Sequence, residues 1–353
     1  MPYSTHTEVL RVDAQQPQPA VIQQAANCLL AGGLVAFPTE TVYGLGANAL
    51  DADAIERIYS AKGRPATNPL IAHITSREQL AQVAQHIPAS AFALADVFWP
   101  GPLTVVLHRQ PEVPESVSAG RDTIAVRMPA HPVAQALIKA AGVPVVAPSA
   151  NRFTRPSATS AEHVLADLTG HVDIILDGGP TPIGLESTVL DLTVEPPVLL
   201  RPGGVTLEAL QAILPDIVVH TGNAADDEAS ASPGMMLKHY SPNAEVLLLA
   251  GDLAAVKTRM IELAQMYAAA DKRVGLLALT EDLAELAHVA PVNVALGSQD
   301  ALDTVAKNLF AALRELDAQG VDVILVRQFA SAGLGRALAD RLLRAAEGKI
   351  IEV

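Results

Sequence analysis

The chain has 353 residues, of which 50% are hydrophobic and 18% charged; that length fits two domains with cores of ordinary size, and that composition excludes a wholly disordered chain. With 24 Lys and Arg against 38 Asp and Glu, the formal charge is -14, which excludes a surface that binds nucleic acid as a whole. No apolar run approaches the roughly 18 residues of a membrane span, and the opening MPYSTHTEVLRVDAQQ lacks the basic and apolar blocks of a signal peptide, so the expected place is the cytoplasm, away from membranes.

Helical periodicity over 21–31 ends at Gly32-Gly33, a stop that needs left-handed backbone. Cys28, the single cysteine, reads as a small apolar residue on that helix. Leu34 to Phe37 reads as a short buried strand, and PTETVYGLGANAL, rich in Thr and Gly, as a loop at its end. A helix over 52–60 is closed by KGRPATNP. LIAHI at 70–74 is strand-like and leads into a helix opened by Ser76, with Gln79 three residues on in a capping-box pattern. LTVVL at 103–107 and TIAVRMP at 123–129 read as strands, 132–141 as a helix stopped by Gly142, and PVVAPSAN at 144–151 as a strand running into a polar loop. A helix over 161–168, then DIILD at 173–177, STVLDLT at 187–193, VLLRPG at 198–203 and a short helix over 207–214 complete one mixed sheet with helices packed on it.

Residues 222–243 are small, polar and rich in Pro and Gly, the composition of a linker. Beyond them EVLLLAG, VGLLALT, VNVALG and VDVILVRQF alternate with helical stretches at 252–268, 281–287, 301–318 and 335–346. This alternation predicts a smaller, Rossmann-like α/β domain with a parallel sheet. The expected organisation is a catalytic domain at 1–221, a linker at 222–243 and a C-terminal domain at 244–353.

Glycine fingerprints for nucleotides fail. GxxxxGK[ST] is absent, and GLGRAL at 333–338 has Leu338 where the third glycine belongs and follows the last of the predicted strands, so it reads as a tight turn before a helix. The ten histidines are dispersed without HExxH, and no metal ligands can be named. What remains is a set of polar strand ends. Lys62 and Arg64 sit two apart in a Gly-Pro loop and can reach one anion; the alternative is a pair of solvated loop charges. Ser149 and Asn151 follow an apolar strand, a usual ligand position in open α/β sheets, with a helix or turn cap as the equal alternative.

KGRPATNPL at 62–70, PTETVYGLG at 38–46, FWPGPLTVVL at 98–107, TIAVRMP at 123–129, APSAN at 147–151, ESTV at 186–189 and RPG at 201–203 together resemble the YrdC-like family. SPGMMLKHYSP and the second domain match its longer, two-domain members. The resemblance implies a YrdC-like mixed twisted sheet followed by the Rossmann-like domain. It also implies a nucleotidyltransferase that makes threonylcarbamoyl-AMP and pyrophosphate from L-threonine, bicarbonate or CO2, and ATP, for threonylcarbamoyladenosine in tRNA.

Carried over position by position, ATP contacts fall on Lys62, Arg64, Asn68, Thr123, Ala147, Ser149, Asn151, Ser157, Arg201 and Tyr240. L-threonine falls to Thr41, His73, Arg127 and Ser187. Lys62 and Arg64, with Mg2+, would offset triphosphate charge and are the catalytic pair. Arg127 suits a carboxylate grip, whereas His73 on its strand would otherwise read as a core histidine. Glu40 and Glu186 read as structural carboxylates ahead of bases or Mg2+ ligands. The linker would act as a lid carrying Tyr240, with a buried docking strip as its plainer reading. Proteins that transfer the threonylcarbamoyl group to tRNA are the implied partners. The alternative function is an RNA-binding or ribosome-assembly factor using the basic concavity, with weak RNA binding as its mark; the acidic total and 3% aromatic content weigh against it. Carbamoyl transfer in hydrogenase maturation lacks its zinc-finger and acylphosphatase parts here.

Overall fold

The computed structural model describes residues 6–220 and 239–353. Among these, the chain divides into a first unit of residues 6–153, 157–182 and 186–220, and a second of 154–156, 183–185 and 239–353. The expected linker and lid therefore lie outside the described residues up to 238.

The first unit is a twelve-stranded mixed sheet. Its strands are β1 (Glu8–Arg11), β2 (Val35–Pro38), β3 (Tyr43–Asn48), β4 (Ile71–His73), β5 (Ala84–Gln85), β6 (Leu103–Arg109), β7 (Thr123–Arg127), β8 (Val145–Val146), β9 (Ile174–Asp177), β10 (Thr188–Asp191), β11 (Val198–Arg201) and β12 (Val218–Val219). They run in the order β1-β9-β2-β3-β8-β4-β7-β6-β10-β11-β12, with β5 paired to β6.

Alternation along these strands sends neighbouring residues to opposite faces. Ala36, Ala72, Val105, Val126 and Val146 point to one face, where they pack with Ile55 and Ile58 of the helix Ala52–Lys62 and Val164 of the helix Ala161–Leu168. Val35, Phe37, Val145 and Ala147 point to the other, under the helices Pro19–Leu30 and Pro132–Ala141. Further along that second face Ile71, Val106, Ala125, Val189 and Leu200 form an apolar cluster of their own, which among the described residues contains no helix residue. This stretch is the floor on which the polar strand ends converge.

PTETVYGLGANAL is not a loop throughout. Residues Tyr43–Asn48 form β3, antiparallel to both β2 and β8. Its glycines are there for close packing: a Cβ on Gly46 would stand 2.7 Å from Phe37 Cε1 and 3.0 Å from Val145 Cγ1. Strands β1 and β12 and the helix Ala89–Phe98 also lie beyond what the sequence pattern announced. The capping signals hold: the Ser76 side chain accepts from Gln79 N, and Gly142 ends its helix at φ 68°.

The second unit has five parallel strands, β13 (Glu245–Ala250), β14 (Val274–Ala278), β15 (Val292–Ala295), β16 (Val323–Arg327) and β17 (Ile350–Glu352), in the order β15-β14-β16-β13-β17. The helices Leu253–Ala269, Thr280–Leu286, Leu302–Ala318 and Leu334–Ala345 connect them, as parallel strands require. Helix–strand alternation predicted four of these strands and all four helices; β17 was not foreseen. GLGRAL opens the last helix, with Gly333 at its N-cap in a left-handed φ of 53°.

Candidate active site

Two polar groups stand at opposite ends of this apolar floor in the first unit, and strand register relates them. At one end, Lys62 is the last residue of its helix, where Gly63 turns the chain at φ 63°. Its ammonium donates to Ser149 O and Asn151 O, both at 2.6 Å. Arg64 Nε and Nη2 donate to Asn68 O at 3.1 Å and Pro69 O at 2.6 Å, and Nη2 also to Asn68 Oδ1 at 2.6 Å. The segment from 148 to 151 is laced to β3 by Leu45 N to Pro148 O and Ala150 N to Tyr43 O, each 2.8 Å. Ala147 N donates to Ile71 O at 3.0 Å, which brings that segment to the start of β4. Because Ile71 pairs with Ala125 in parallel register, Thr123, two residues earlier on β7, lies toward the end of the sheet at which β4 begins. Lys62, Arg64, Asn68, Thr123, Ala147, Ser149 and Asn151 therefore gather at one end.

This geometry decides against the alternative reading of the pair. Lys62 and Arg64 are not solvated loop charges: they are 2% and 7% exposed, and their donors organise the main chain of two loops.

At the other end, His73, Arg127 and Thr104 share a face, since His73 pairs with Arg127 and Arg127 with Thr104. Arg127 is held firmly. Its Nε donates to Gly101 O at 3.2 Å and its Nη1 to Thr41 Oγ1 at 2.9 Å. The Thr39 hydroxyl donates to Val42 O at 2.6 Å, so across the 2.8 Å separation the Thr41 hydroxyl donates to Thr39 Oγ1. A directed chain of hydroxyls thus fixes the guanidinium. Arg127 Nη2 lies 2.6 Å from Glu40 Oε1, an ion pair off the angle of a hydrogen bond.

Ser187 Oγ lies 2.7 Å from Thr104 Oγ1, and Arg201 Nη2 donates to Ser187 O at 2.9 Å and to its Oγ at 3.2 Å. The Ser157 hydroxyl donates to Glu186 Oε1. Arg201 and Ser157, expected at ATP, therefore stand with the threonine set. Gly203 makes this packing possible, because a Cβ there would meet the Glu186 carbonyl oxygen at 2.4 Å.

Burial and the neighbouring guanidinium push the His73 imidazole down to about 3 from its ordinary 6.5, and its Nδ1 lies 3.2 Å from Ile71 O. It is a neutral polar wall. Burial also lowers the His131 imidazole, whose Nδ1 accepts from Val133 N at 3.2 Å as a helix cap. Neither ring is a counter-ion. Cys28 is pushed up to about 11 by burial, which suits the small apolar residue expected of it. Tyr240 stands in the second unit, where its ring is 5.2 Å from Phe310 and the Arg341 guanidinium lies over it at 5.3 Å. Thr104 and Thr39 escaped notice in the sequence although both sit in quoted segments, because a threonine inside an apolar strand or beside a better candidate carries no signal of its own.

Four residue steps along β7 lead from Thr123 to Arg127 on one face, a span of roughly 13 Å at ~3.3 Å per residue. The face therefore carries a fixed guanidinium at one end, a loop pair organised by Lys62 and Arg64 at the other, and an apolar floor between.

Residues 27–203 match the family described as Telomere recombination, and residues 205–347 match the threonylcarbamoyl-AMP synthase C-terminal domain. A threonylcarbamoyl-AMP synthase of Pyrococcus abyssi is 47% identical over 94% of this chain and 96% of its own length; one of Bacillus subtilis is 46% identical over 94% of each. The solved structure of P. abyssi Sua5 complexed with L-threonine superposes with a TM-score of 0.90 at 46% identity, covering 98% of this chain and 99% of that one. With both domains matched and the whole length of these relatives spanned, the chain belongs to the two-domain, Sua5-type threonylcarbamoyl-AMP synthases, a family of nucleotidyltransferases.

Proposed function

We propose that this face of the first unit binds L-threonine at the Arg127 end and the nucleotide toward the Lys62 end, and joins them through bicarbonate or CO2. The observation that carries this reading is the fixed Arg127 guanidinium, tied to Gly101 and Thr41, on the same sheet face as the loops that Lys62 and Arg64 organise. Thr41, His73 and Ser187 complete the amino-acid pocket. Asn68, Thr123, Ala147, Ser149 and Asn151 contribute to nucleotide binding, and Arg201 and Ser157, which stand at Ser187 and Glu186, meet the nucleotide from the threonine side.

The threonine amine captures CO2 as a carbamate with loss of a proton. A carbamate oxygen then attacks the α-phosphorus of ATP, the bond from that phosphorus to the bridging oxygen breaks, and pyrophosphate leaves. No covalent link to the protein is needed; the chain orients the reactants and balances charge. Among the described residues no group of three or more His, Cys, Asp or Glu side chains is arranged for a metal. Glu40 faces Arg127, and Glu186 accepts from Ser157. Mg2+ brought in with ATP would offset triphosphate charge together with Lys62 and Arg64. The product passes to proteins that transfer the threonylcarbamoyl group to tRNA.

Pyrophosphate release from ATP is the test. It should require threonine and bicarbonate together, and threonine should surpass serine by roughly 10- to 200-fold for its one methyl group. Release that ignores either co-substrate, or equal use of serine, removes the reading.

A further inference from the structure

Glu40 is 6% exposed, and neither carboxylate oxygen has a hydrogen-bond partner. A buried carboxylate normally collects donors, and one without them is costly unless something else supplies the charge and the hydrogen bonds. Its cation in the free protein is Arg127, at 2.6 Å. The other titratable groups close by are His73, near Arg127, and His131, near Glu40; burial lowers both below their ordinary values. With the buried Arg201 and Glu186 around Ser187 counted as well, the site at rest holds two positive and two negative charges and no net charge.

We propose that Glu40 receives the α-ammonium of the amino acid whose carboxylate Arg127 grips, so that the pocket reads its substrate as a zwitterion. This rests on the reading of the pocket as the threonine site. When a substrate carboxylate engages Arg127, Glu40 loses the undivided attention of its counter-ion. A simple carboxylate would leave a net negative charge buried there, which is strongly unfavourable. An α-amino acid brings no net charge and carries its ammonium one carbon from its carboxylate. Adjacent receptors of opposite sign, on Arg127 and Glu40, match that spacing. The ammonium also offers three donors to the two carboxylate oxygens that have none. Glu40 stands next to Thr41, whose hydroxyl accepts from Arg127, so one short loop sets both halves of the receptor.

The test compares two ligands on the full chain by isothermal titration: L-threonine, and (R)-3-hydroxybutyrate, which keeps the carboxylate and hydroxyl but lacks the amine. The wild type should bind threonine at least about 10-fold more tightly, as a hydrogen-bonded charge warrants, and Glu40→Gln should erase most of that preference. A residue that only props Arg127 predicts otherwise: Glu40→Gln would then weaken both ligands by the same factor, which overturns the proposal, as does an unchanged preference. Thermal melting of the variant, with Glu40→Asp as a charge-retaining control expected to keep part of the preference, guards against misfolding. Equal affinity of the wild type for the two ligands overturns the proposal without any variant. Threonine bound selectively with the preference intact in Glu40→Gln leaves the pocket standing and removes only Glu40's role; no threonine binding at all removes both.

Discussion

Lys62 joins structure to chemistry, because its ammonium holds the carbonyls of Ser149 and Asn151 and so shapes the loop that the nucleotide is expected to meet. Lys62→Ala should abolish pyrophosphate release and also lower stability by about 2–3 kcal/mol, since buried carbonyls lose a charged donor. Urea unfolding beside the activity assay separates the two, and an unaltered midpoint would place the lysine outside the loop's support. His73 gives a pH prediction. Its folded value of about 3 lies below the ordinary 6.5, so between these limits the unfolded chain binds a proton that the native chain refuses. Stability from this residue is complete above about pH 6.5 and falls by up to about 1.4 kcal/mol per unit as the pH drops. Unfolding curves at pH 7 and about 5 should show a shallower pH dependence for His73→Gln than for the wild type; parallel slopes would contradict the burial argument. At this scale the sequence showed residue types but not their partners. Arg127 was legible as a carboxylate grip, while its ties to Thr41, Gly101 and Glu40 join segments far apart in the chain, which no local pattern encodes.

Most helices were legible as elements because their signals are local: the Ser76 cap, the Gly142 stop and the apolar stripe over Pro132–Ala141 each act within a turn or two, whereas Ala89–Phe98, with no side-chain cap at Pro88, was not. The strand β3 was hidden for the opposite reason. Glycine is a poor strand former, and Gly44 and Gly46 are there because neighbouring elements press against them, an instruction written in Phe37 and in the distant Val145. Gly46→Ala should therefore destabilise the first unit by about 1–3 kcal/mol, the usual range for overpacking. Denaturant titration checks it, and a neutral result would mean that the Phe37 ring yields freely. The short strands β1, β12 and β17 pair at or near sheet edges and carry too few residues for periodicity to register.

Among the described residues each of the two units has apolar clusters on its own sheet. In the second, Leu247, Leu249, Met260, Leu263, Leu276 and Leu325 pack with one another, so residues 239–353 contain what a small α/β domain needs. Expressed alone, this segment should give a cooperative thermal transition by circular dichroism; a broad, non-cooperative melt would show that its core depends on the rest of the chain.

Composition, periodicity and the seven short motifs were enough to determine the α/β class, the two-domain plan, the family and the residues at which to look. Those properties depend on neighbours in sequence or on residue types in fixed order. Which residues meet was decided only in three dimensions. The register of β4 against β7 sets His73 beside Arg127, the 148–151 segment closes on Lys62, and Glu40 faces Arg127 without a hydrogen bond to either oxygen. Burial decided the rest: it converts Lys62 and Arg64 from surface charges into the framework of a site and keeps His73 neutral, because desolvation depends on what the folded chain packs around a group and not on the residues beside it in the sequence.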